Sequence, residues 1–292
     1  MTARLHKKPG TSVKIALLGI SLRLCACPTE EPPPPSFNEA LDREAIPAEE
    51  GSLAGTFAMK AVSATIVRIP IPGIDDELGG GVNFRINRRT YDATAGIYRQ
   101  ESKLCGGYNF VVHGVVTGAS DEAYLEVPLS TEETVAIDHE RGDFLWTDHV
   151  QTWGIQLEDQ LTDAFPESLE DALGPDFIGK VYDMDHDDKD GITLYVSGSF
   201  EGEIYAIQRK SVSGFGLIFG PDYVLGIQET TYESVTLGNN NSVLDQASLG
   251  SAEAYPDPTE SWFEEVRVDD NITCDEVLLL EDEGVLSRLR PF

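Results

Sequence analysis

Positive charge is what this chain has least of: 21 lysines and arginines stand against 51 acids, for a formal charge of −30 over 292 residues. A surface of that sign repels nucleic acid and anionic headgroups and attracts cations, so nucleic-acid binding is excluded. Cysteine is scarce as well, four in all, too few for a cysteine-only metal cage in a folded domain. After residue 26 no apolar run approaches the roughly 20 residues that span a bilayer as a helix. Catalytic signatures are missing too. There is no G-x-S-x-G elbow, no G-x-x-x-x-G-K-[ST] loop, no H-E-x-x-H and no G-x-G-x-x-G after a strand. Paired carboxylates exist by composition alone in so acidic a chain, and single out nothing.

The first residues break the acidic pattern. Arg4, Lys7, Lys8 and Lys14 precede an apolar run from Ile15 to Leu22, and no acid occurs before Glu30. A basic stretch followed by about 8 apolar residues is the order of a signal peptide. The run ends in Leu24-Cys25-Ala26-Cys27, which resembles the lipobox of bacterial lipoproteins: Leu three before the Cys, a small residue just before it, and the Cys itself. The resemblance implies that residues 1–26 are removed and that Cys27 carries the lipids. It also implies an exported, membrane-anchored protein, placed at the outer membrane on its periplasmic or cell-surface face. Arg23 departs from the pattern. Removal of residues 1–26 takes away Arg4, Lys7, Lys8, Lys14 and Arg23 and no acid, carrying the remainder from −30 to about −35. With several acyl chains at about 0.8 kcal/mol per buried methylene, lipid and not protein surface would hold it to the membrane.

With Cys25 removed and Cys27 blocked, Cys105 and Cys274 remain, and an oxidising exterior favours a bridge between them over two free thiols. Residues 27–51 carry Pro28, Pro32 to Pro35 and seven acids. Proline and like charge extend a chain, so this reads as a disordered spacer reaching up to ~70 Å.

Residues 52–292 read as one β-rich domain. Phe57, Met59 and Ala61 alternate with Thr56, Ala58 and Lys60, and Tyr108, Phe110 and Val112 alternate with Asn109, Val111 and His113. Further β-rich runs cover 202–209, 213–219, 223–237 and 262–268, parted by turns such as Gly220-Pro221-Asp222. Strand after strand predicts an all-β fold: an antiparallel meander closing into a barrel, lipocalin-like in order, or a sandwich. One or two short helices interrupt it. Leu157, Leu161 and Phe165 recur at four-residue spacing. Pro166 opens a second stretch that stops at Gly174-Pro175, and another begins near Thr273.

The strongest candidate site is Asp183-Met184-Asp185-His186-Asp187-Asp188-Lys189-Asp190-Gly191. Carboxylates at alternate positions converge on one cation when a loop wraps it, and Ca²⁺ takes 6–8 oxygens. The run resembles the D-x-D-x-D-G loops of EF-hand, dockerin and thrombospondin type 3 calcium sites. That resemblance implies side-chain ligands from Asp183, Asp185 and Asp187, a backbone carbonyl from Lys189, and a structural Ca²⁺. Asp188 stands where those loops have glycine and Leu194 where they have the closing Glu. The closing carboxylate would then come from Asp190, Glu201 or Glu203. The competing reading is a solvated acidic hairpin.

His139 and His149 near Asp138, Asp143 and Asp148 read as exposed hairpin residues, His113 as half-buried, and Trp146, Trp153 and Trp262 as core. Gly-Thr-Phe-Ala near the domain start and the acidic loop before Val-Ser-Gly-Ser resemble exported lipoproteins of myxobacteria and related bacteria, which implies location and cation binding, not an activity. Three function classes stay open: a binding or structural module with a small-molecule, lipid or protein ligand, a hydrolase assembled by the fold, or an adhesin or assembly subunit.

Overall fold

The computed structural model describes residues 44–68, 75–112, 114–128, 133–199, 201–242, 244 and 251–286. The signal segment, Cys27, most of the spacer and His113 lie outside the described residues. Among the described helices, none is long and apolar enough to cross a membrane.

The strands, in chain order, are β1 (Gly55–Arg68), β2 (Glu77–Asp92), β3 (Ile97–Asn109), β4 (Val115–Gly118), β5 (Glu133–Asp138), β6 (Asp143–Trp153), β7 (Ile192–Gly198), β8 (Gly202–Ile218), β9 (Tyr223–Asn239), β10 (Ser251–Ala254) and β11 (Trp262–Arg267). Pairing runs β1-β2-β3-β5-β6-β8-β9-β11 and back to β1, antiparallel throughout. The expected meander is therefore a closed eight-stranded barrel, and closure removes the sheet edges that an open form would expose. Outside the ring, β7 pairs with the start of β8 and with β4, while β10 pairs with the far end of β1.

Two of the hairpin turns are built alike. In Asp92–Gly96 and Asp138–Gly142 an aspartate Oδ1 accepts from the backbone N–H groups two and three residues on, and the glycine N–H closes on the aspartate carbonyl. Gly142 has a φ of 75°, and a Cβ there would meet Ile46 O at 2.6 Å, so glycine serves both the turn and the chain that crosses it. That crossing chain is the segment 46–54, which the spacer's composition had partly claimed. Ile46 N–H donates to Ile218 O and Ala48 N–H to His139 O, and the fully buried Leu53 packs on Phe57 and its neighbours at this end of the barrel.

Both faces of β1 and β2 are buried. Inward, Phe57, Met59 and Ala61 meet Phe144, Trp146, Val212, Val224 and Phe263. Outward, Ala58, Val62, Val82, Phe84, Ile86 and Trp262 are covered by the C-terminal segment, including Val277, Leu280 and Leu286. That segment opens with helix α3 (Cys274–Leu279), started by a capping box between Thr273 and Glu276 and stapled to β3 by a Cys105–Cys274 disulfide.

A short helix α1 (Asp121–Glu126), capped by Ser120, joins β4 to β5 and puts Ala123 and Tyr124 against Leu104 and Trp153. The expected helix through Leu157, Leu161 and Phe165 does not form. Asp159 and Asp163 carboxylates take the N–H groups of Glu158, Asp159, Leu161 and Thr162, and Arg209 donates to the carbonyls of Gln160 and Asp163. Side chains that satisfy backbone donors locally outcompete the helix ladder. The next helix, α2 (Leu169–Ala172), starts at the Ser168 cap and not at Pro166.

Candidate functional site

The acidic loop lies between a crossing at Gly154 and the start of β7. Met184, buried among Leu104, Trp153 and Ile192, anchors it, and Gly154 N–H points at its sulfur at 3.1 Å. Tyr182 O and Gly191 N–H, then Gly191 O and Met184 N–H, pin the two ends together. Between them the chain wraps tightly: Asp183 accepts from the N–H groups of Asp187 and Asp188, Asp185 from Thr193 N–H, and Asp187 from Lys189 N–H and Thr193 Oγ1.

This folding brings Asp183, Asp185 and Asp187 together, with one carboxylate oxygen from each within 4.8 Å of the others. Asp188 adopts a φ of 66°, the left-handed turn that glycine makes at this position in the loops the sequence resembles. The missing glycine is thus replaced by strain, not by a different path. Asp185 Oδ1 is buried and has no hydrogen-bond partner. Burial raises the Asp185 pKa, and the charges of Asp187 and Asp183 add to the rise. Three converging carboxylates with an orphaned oxygen are a donor set that can hold a metal ion. Asp190 is exposed and outside the group, and Lys189 contributes its N–H to the loop.

The second cluster was not foreseen. β2 alternates Phe84 and Ile86 with Arg85, Asn87 and Arg89, a pattern that reads as apolar core and polar surface. In the barrel the polar row faces inward. Arg89 bridges to Glu265 on β11, also donates to Gln100, and lies between the rings of Phe57 and Phe144 at 4.7 and 4.8 Å. Glu133 on β5 accepts from Gln100 Nε2 and Trp146 Nε1, both at 2.8 Å, and from His149 Nδ1. His149 Nε2 meets Gln151 Nε2 at 3.0 Å, which fixes the tautomer with its proton on Nδ1.

The reading of His149 as an exposed hairpin residue is therefore overturned: it is fully buried on the inner face of β6. Burial and the charge of Arg85 lower its pKa to about 4, against the pull of Glu133. The contact is a neutral ring donating to a carboxylate, and not an ion pair. Burial alone would raise Glu133, but His149 and Arg85 outweigh it and hold the carboxyl low. His139, expected to be exposed, is half-buried, with its ring 6.2 Å from that of Tyr98 and Nδ1 3.0 Å from Ala48 O. The tryptophans are core as expected, but in three separate clusters.

Below this network the barrel is filled. A Cβ at Gly214 would meet the rings of Phe263 and Trp146, each at 2.8 Å, so even a methyl group displaces them. Comparisons with protein-family models, curated proteins and solved structures find no match to this chain.

Proposed function

We propose that the protein is an exported, lipid-anchored binding or structural module, tethered through Cys27 and stiffened by one Ca²⁺ in the acidic loop. The observation that carries the metal is the convergence of Asp183, Asp185 and Asp187 around the orphaned Asp185 Oδ1. Hard oxygen donors in a wrapped loop favour Ca²⁺ over softer metals, and Mg²⁺ demands a stricter octahedron. The ion's role is structural, because the loop closes the crossing at Gly154 and its anchor Met184 belongs to a core cluster. Export is supported by the basic-apolar start, by the lipobox pattern and by a disulfide, which persists in oxidising compartments. A binding or structural role is favoured over hydrolysis because the Glu133–His149 pair is sealed from solvent on both side chains.

Thermal melting of the mature chain in calcium and in chelator tests the ion. The expected result is a calcium-dependent rise in Tm that Asp185→Asn removes; equal midpoints with no calorimetric binding would overturn it. Growth with labelled palmitate tests the anchor, with label expected on the wild type and absent from Cys27→Ser.

A further inference from the structure

The barrel interior holds more charge than its pairs account for. Arg89 is matched by Glu265, and Glu133 lies close enough to Arg85 for each to shift the other's titration, which balances two cations with two carboxylates. Lys210, on the inner face of β8 and 7% exposed, is a further cation. Among the described residues its one hydrogen bond is a long 3.4 Å contact to Ser63 Oγ, and its Nζ lies 5.4 Å from the Tyr232 ring centroid. Arg85 is fully buried, and Nε, Nη1 and Nη2 all lack a hydrogen-bond partner; its guanidinium stands over the Trp146 ring at 5.4 Å. Thr230 Oγ1, on the neighbouring β9, is likewise buried and unpartnered. A guanidinium stripped of water with none of its donors used is costly, and so is a buried ammonium without a counter-charge. Both costs are relieved by the same thing.

We infer that Arg85 and Lys210 form a binding site for a small oxyanion carrying one negative charge, such as a monocarboxylate, with the Thr230 hydroxyl and the Tyr232 phenol as further donors. One charge suffices because Lys210 is the one cation in excess. Small size follows from the packing: Trp146, Phe263 and Met59 fill the barrel below. Tyr232, 39% exposed and far along the barrel from segment 46–54, marks the side from which the ligand would enter. The ligand clamps the guanidinium fork from one side and the ammonium from the other.

Protonation supports this arrangement. Burial, and then the charge of Arg85, lower the Lys210 pKa to about 7. The titratable groups facing it across the interior are Arg85 on β2, Glu133 on β5, His149 on β6, Tyr232 on β9 and Glu265 on β11. His149 is neutral and Glu133 is held as a carboxylate, so Lys210 is the group that changes charge near neutrality. Anion binding should therefore be strong below neutrality and fade as pH rises.

The test is calorimetry and tryptophan fluorescence with acetate and nitrate, at constant ionic strength set by chloride, on the wild-type chain, Lys210→Met and Arg85→Met. Expected is one saturable site, tryptophan emission that changes with it, affinity at least about tenfold lower in either variant, and loss between about pH 6 and about pH 9. Acetate alone binding assigns a carboxylate ligand; both binding assigns oxyanions generally. If Arg85→Met does not fold, Lys210→Met decides. Absence of saturable binding by either anion overturns the site, as does wild-type affinity in Lys210→Met or a crystal grown in acetate with water alone between the two cations.

Discussion

At Asp188 a side chain sits where the backbone asks for none. A left-handed φ costs an ordinary L-residue roughly 1–2 kcal/mol, and aspartate somewhat less. Asp188→Gly is expected to stabilise the fold by about 0.5–1 kcal/mol in urea unfolding, partly offset by the greater entropy of glycine when unfolded. The side chain of Asp188 is exposed and its N–H bond to Asp183 survives the change, so calcium affinity should hold or improve.

Arg89 and Glu265 pose the reverse case. Both are buried, and either left alone is an uncompensated charge in the barrel. Glu265→Gln should cost about 3–5 kcal/mol by chemical denaturation, while the paired change Arg89→Met with Glu265→Leu should recover most of that loss. A double-mutant cycle measures the coupling directly.

At the scale of the element, how much was legible depended on which face water touches. The alternation of Phe57, Met59 and Ala61 placed β1 correctly, because apolar residues on one face of a strand point to a core in either a barrel or a sandwich. β2 carried no usable signal: Arg85, Asn87 and Arg89 look like a solvent face, and nothing local says that α3 covers the other side. That information lies in Leu280 and Leu286, nearly 200 residues on. The 157–165 stretch failed for a local reason, since Asp159 and Asp163 were present at the right spacing to take the backbone donors. The helix at Thr273 succeeded for the same kind of reason, because a capping box is written in four consecutive residues. His149 was unreadable without Glu133, its partner on another strand.

The C-terminal element carries its own prediction. The Cys105–Cys274 bridge joins residues 169 apart, so it restricts the unfolded chain strongly. The double change Cys105→Ser with Cys274→Ser should lower stability by about 2–5 kcal/mol relative to the wild type. Hydrogen exchange should show the loss first in 274–286, with Trp262 becoming accessible to a quencher, because α3 is short and held by what it covers.

For the whole molecule, stability should follow two interior groups as pH changes. His149 has an ordinary pKa near 6.5 and a folded value of about 4. Between these the unfolded chain holds the extra proton, so stability falls as pH drops through that window. Lys210 runs from 10.5 to about 7, so again the unfolded chain binds more protons, and stability rises as pH climbs from about 7. Urea titrations across this range should show both slopes. His149→Gln should flatten the acid one and Lys210→Met the alkaline one.

The plug at 46–54 has a mechanical consequence. Any pull on the chain ahead of Ile46 first meets the backbone bonds to Ile218 and His139, which can open one after the other before the Arg267 guanidinium releases the carbonyls of Ser52 and Ala54. The load then passes to β1, which is hydrogen-bonded along its length to β2 on one side and to β11 and β10 on the other. Drawn along its own axis, that strand resists in shear, with its bonds strained together and not unzipped in turn. The barrel is thus attached to whatever holds its N-terminal side by a weak outer latch in series with a strong inner one.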